Sequence, residues 1–78
     1  MSDWNKKRKL KREIKLCMQT INEMERKRSR SQSALVQAVL LQETPDEHDV
    51  EWFNKYTGEI TSVRNHMMEL QKELNSLQ

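Results

Sequence analysis

Seventy-eight residues, 33% of them charged, with one glycine, one proline and four aromatics, exclude a sheet protein and leave room for at most one small helical domain. A single cysteine, Cys17, excludes an internal disulfide framework and a cysteine-based zinc cage, and points to a reducing compartment, the cytoplasm or the nucleus. Net charge is only +2, yet residues 1–33 hold eleven basic and four acidic side chains whereas residues 34–78 hold three and eight, so the chain is strongly polarised.

The first element begins in a basic run, KKRKLKREIK, from Lys6 to Lys15. Leu10, Ile14, Cys17, Ile21 and Met24 recur at spacings of four and three, the signature of one apolar helical stripe. The register then crosses Arg28 and Ser31 before recovering at Leu35 and Ala38. Arginine, lysine and glutamine favour helix and no Gly or Pro intervenes, so a first helix is expected from about residue 5 to 42, continuous through 26–33. No apolar run approaches the ~18 residues a membrane span needs, and no uninterrupted apolar core follows the basic start as a secretory signal requires.

The turn is expected in QETPDEHDVEW, at residues 43–45. Thr44 suits an N-cap, Pro45 the first helical position, and Glu47 the third, which together make a capping box. From Phe53 the second helix, about 45–77, reads Phe53, Tyr56, Ile60, Val63, Met67, Leu70, Leu74, Leu77, a heptad seam without an error. Gly58 falls outside that seam. So short a connection folds the helices back on each other. The fold class is therefore all-α, a two-helix antiparallel hairpin of coiled-coil character that associates into a helical bundle.

If facing residues have numbers totalling about 91, the two seams mesh: Ile14 with Leu77, Cys17 with Leu74, Ile21 with Leu70, Met24 with Met67, Leu35 with Tyr56 and Ala38 with Phe53. The same register sets Glu25 beside Arg64, Val39 beside Val50 and Leu41 beside Trp52. Arg28 against Val63 and Ser31 against Ile60 make a weak waist. Residues 1–12 are then a basic amino-terminal overhang, with the hairpin proper at 13–78.

One narrow seam cannot cover every apolar side chain here. Val36, Val39, Leu40, Leu41, Val50 and Trp52 gather round the turn end and point in several directions, as expected of a protein interface or a self-association surface. The basic residues Lys6, Lys7, Arg8, Lys9, Lys11, Arg12, Lys15 and Arg26 form a second expected contact surface. Of these, Arg8, Arg12, Lys15 and Arg26 share one helical stripe with Gln19 and Asn22, a pattern that also suits an RNA or DNA backbone. A basic tail would equally bind an acidic protein surface, including the second half of a neighbouring copy.

Catalysis finds no foothold in this pattern. His48 and His66 are isolated, Cys17 lies in the seam, and there is no glycine-rich phosphate loop, so no catalytic residue, cofactor or metal is expected. The reading is a small adaptor, regulator or structural subunit acting through protein–protein interaction, with a nucleic-acid-binding hairpin as the alternative and a membrane partner ranked low. KKRK also matches a nuclear localisation signal, and Ser29 and Ser31 follow arginines as basophilic kinases prefer.

Overall fold

The heptad seams form the two helices expected of them. A computed structural model describes residues 2–77, with side chains from Asp3 onward. Met1 and Gln78, which the expected boundaries include, lie outside the described residues. Helix α1 runs unbroken over Ser2–Leu40 and helix α2 over Glu47–Ser76, and the described residues contain no strand. The molecule measures 60 × 17 × 15 Å. A 39-residue helix is about 58 Å long, so α1 spans the whole molecule. Its continuity through Arg26–Ser33 follows from helix-favouring side chains that leave the backbone ladder intact.

The ends of the connection differ from expectation. Helix α1 closes in a Schellman motif: the Glu43 amide donates to the Ala38 carbonyl at 2.9 Å and the Gln42 amide to the Val39 carbonyl at 3.1 Å. Gln42 takes the left-handed position, φ 58°, that glycine usually fills. The N-cap of α2 is Asp46, not Thr44. Its backbone is extended and its carboxylate accepts the His48 amide at 2.8 Å. Pro45 therefore precedes the cap rather than occupying the first turn, and Glu47 is the first helical residue, so the expected capping box is absent. Aspartate caps at least as well as threonine, and the later start gives the chain six residues in which to reverse.

The helices also mesh in a different register. Among the described residues, four polar or cation–π side-chain contacts cross between them: Lys6 to Glu73, Glu25 to Arg64, Arg28 to Thr57, and the Arg28 guanidinium over Phe53. Their residue numbers total between 79 and 89, all below 91. Residues equidistant from the centre of a loop between Leu40 and Glu47 total 87, so a register of 91 would demand an asymmetric turn. A heptad seam looks the same after a slide of one repeat, and apolar spacing alone does not choose between registers.

The slide changes what the basic run is. Leu10, only 5% exposed, joins Leu70 and Leu74 in a buried cluster against which Ile14, Cys17 and Leu77 pack. From Lys6 to Leu10 the expected overhang thus lies alongside the carboxyl-terminal turns of α2 rather than projecting past them. Ile21 and Ile60 complete the buried apolar set, Ile60 being the most enclosed at 2%.

The expected waist is rearranged at Arg28, which donates to Thr57 Oγ1 at 3.3 Å and lies over the Phe53 ring rather than facing Val63. Ser31 is buried, as is Ile60, and Ser31 lines a groove with Trp52 and Tyr56. Met24 borders a groove with Gly58 and Val63.

Candidate association surfaces

Every apolar residue assigned to the turn end is exposed: Val36, Val39, Leu40, Leu41, Val50 and Trp52. Leu40 is the extreme case, 77% exposed. Val36 and Leu40 lie one turn apart on the side of α1 away from α2, a consequence of four-residue spacing. Leu41 lines a shallow groove with Ala34, Ala38 and Asp49, and Trp52 and Asp49 line a neighbouring one.

That second groove is where sequence reasoning fell short. Trp52 and Tyr56 stack with ring centroids 5.5 Å apart and planes 19° from parallel, and Lys55 Nζ lies 4.8 Å from the Trp52 ring. Spacings of three and four residues on one helix make this cluster, and they are readable in WFNKY. Its position is not readable without the register. Across the groove, α1 presents Glu23, Arg26, Lys27, Arg30 and Ser31, and α2 adds Asp49. Lys27 is engaged with Glu23 at 3.4 Å.

The basic residues are dispersed in role. Lys6 pairs with Glu73 at 3.6 Å and Lys7 is half-buried. Arg8 lies over the Trp4 ring, 5.5 Å from its centroid. Lys9, Lys11, Arg12, Lys15 and Arg26 are exposed, as are Gln19 and Asn22 on the same stripe. Glu25 meets Arg64 at 3.7 Å, as expected, because long side chains bridge more than one register.

Charge follows the long axis. The turn end, residues 34–54, holds five acids and no Lys or Arg. The opposite end holds the seven basic side chains of residues 2–18 against Asp3 and Glu13, with Glu69, Lys72 and Glu73 of α2 alongside. The 60 Å rod is therefore an electrostatic dipole, acid at the turn and base at the open end.

Cys17 is half-buried against the leucine cluster. His66 is exposed, and His48 Nδ1 sits 3.4 Å from the Asp46 carboxylate in the exposed cap. Among the described residues no three His, Cys, Asp or Glu side chains converge to hold a metal ion, and no helix is long and apolar enough to cross a membrane. Ser31, one of the two serines that follow arginines, is buried, whereas Ser29 is exposed. Compared with known protein families, curated proteins and solved structures, the chain matches none.

Proposed function

We propose that this chain is a non-enzymatic helical hairpin that works by protein–protein association, its own copies included, as a small adaptor, regulator or structural subunit. The observation that carries this reading is the imbalance between the buried and exposed apolar sets. Five apolar side chains form the core, while six round the turn end stay in water. Lone two-helix hairpins bury little, and exposed aliphatic groups gathered at one end favour a covered state. The basic end, from Lys6 to Arg12, is the second contact. Sedimentation of the wild type beside Leu40→Asp and Trp52→Ala tests this, with helicity measured in parallel. The wild type is expected above its 9.4 kDa monomer mass, with Leu40→Asp shifted toward it at unchanged helicity. A wild type that stays monomeric, or a Leu40→Asp variant that associates as before, overturns the assignment of the turn end to self-association.

A second reading rests on the groove that sets Arg26 and Arg30 beside Trp52 and Tyr56. Cations next to stacked rings suit phosphate and base contacts in single-stranded nucleic acid, although Glu23 and Asp49 in the same groove oppose it. Titration of fluorescent RNA and DNA at ~50 and ~200 mM salt separates the readings, because phosphate contacts weaken steeply across that range.

A further inference from the structure

The outer face of α1 carries a second stripe at spacings of four and three between Lys11 and Leu40, with Met18, Asn22, Gln32 and Val36 on it and Glu25 and Ser29 at its centre. All of these side chains are exposed, Met18 at 54% and Val36 at 52%. The stripe has apolar groups on either side of a polar middle, and is flanked by base at one end and acid at the other. Such a pattern is self-complementary under a two-fold axis across the helix at about the level of residue 27.

We propose that a second copy of this chain packs antiparallel over this face. Met18 then meets Val36 of the second copy, Asn22 meets its Gln32, and Lys11 lies beside the Glu43 of its turn end. The occupant follows from charge. A parallel pair would set five acids against five at the turn and stack the basic runs on one another, whereas the antiparallel pair neutralises both ends. The same operation covers Val36 and Leu40, which α2 leaves open. The polar middle, Asn22, Glu25, Ser29 and Gln32, tolerates the face being wet in the monomer, and the Asn22–Gln32 pairs specify alignment when it is covered, as a single buried Asn does in coiled coils.

This inference rests on the association reading above, and its test separates the two. In a Cys17→Ala background, Met18→Cys and Val36→Cys are prepared separately, one carrying a mass tag, then oxidised alone and mixed. The mixed sample is expected to yield the tagged–untagged cross-link at several times the amount of either self-cross-link. Self-cross-links that dominate overturn the antiparallel face, as does the absence of any cross-link. Sedimentation of the same wild-type stock tells which idea has failed. An oligomer without the mixed cross-link removes this face and leaves association standing; a monomer removes both. Circular dichroism of each variant guards against unfolding, and a second pair, Lys11→Glu with Glu43→Lys, is expected to associate poorly alone and to recover the wild-type mass when mixed.

Discussion

Lys6 Nζ stands 3.6 Å from Glu73 Oε1, and one turn further along α1 Leu10 is buried with Leu70 and Leu74. Together these contacts fix how far α2 reaches along the basic run. The ion pair itself is half-exposed and stabilises by well under ~1 kcal/mol. The leucine carries the energy, and the pair reports the register.

Leu10→Ala is therefore expected to destabilise the hairpin by about 2 kcal/mol or more, the range for a truncated core leucine. Lys6→Ala should stay within about 0.5 kcal/mol, as surface substitutions do. Urea unfolding followed by circular dichroism measures both. A Leu10→Ala protein with an unchanged midpoint would return residues 1–12 to an unpaired overhang.

Capping offers an independent check on the turn. Asp46→Ala removes the acceptor of the His48 amide and is expected to cost about 1 kcal/mol. Thr44→Ala touches no cap contact and should be close to neutral. If the two variants exchange ranks in thermal melts, α2 starts at Pro45 after all.

Helices and hairpin were legible because apolar spacing and a Thr-Pro-Asp turn are local features. The register was not. Ile14 satisfies the same seven-residue repeat whether it faces Leu77 or, one heptad back, Leu70, so the decision passes to the loop and its caps. The cap was ambiguous for a related reason: Thr44 and Asp46 both suit an N-cap, and only backbone geometry at Asp46 distinguishes them. The Trp52–Tyr56–Lys55 cluster was present in the spacing, but its juxtaposition with Arg26 and Arg30 depends on the register and was hidden with it. The turn-end residues, by contrast, were recognisable as surplus apolar groups and are exposed as that surplus requires.

Two backbone positions carry mismatched residues. Gly58, the chain's one glycine, lies inside α2 with open space where a Cβ would stand. Gly58→Ala is expected to stabilise by about 1 kcal/mol. Gln42 occupies a left-handed conformation that disfavours side chains, and Gln42→Gly is expected to stabilise by up to about 1 kcal/mol after the entropy cost of glycine. These sites share no contact, so the double variant should gain close to the sum. A loss of stability at Gly58→Ala would mean the outer side of α2 is covered by something the monomer lacks.

Arg28 is the sharpest test of how the seam is held at its polar centre. It occupies a seam position, half-buried, with one 3.3 Å bond to Thr57 and its guanidinium 5.8 Å from the Phe53 ring. Each of those contacts is worth about 0.5–1 kcal/mol. A leucine in its place forfeits both but, at this half-buried position, buries aliphatic surface worth about 1 kcal/mol and saves about 1 kcal/mol of side-chain ordering. Burial and the lower ordering cost together match or exceed the loss, so Arg28→Leu is expected to raise stability by up to about 1 kcal/mol, and the unfolding midpoint with it. Arg28→Ala, which loses the contacts and gains little burial, should lower it. The order Leu above Arg above Ala in urea midpoints at equal protein concentration checks the argument. An arginine more stable than leucine would mean that its bond to Thr57 and its stacking on Phe53, rather than apolar burial, hold the middle of the hairpin together.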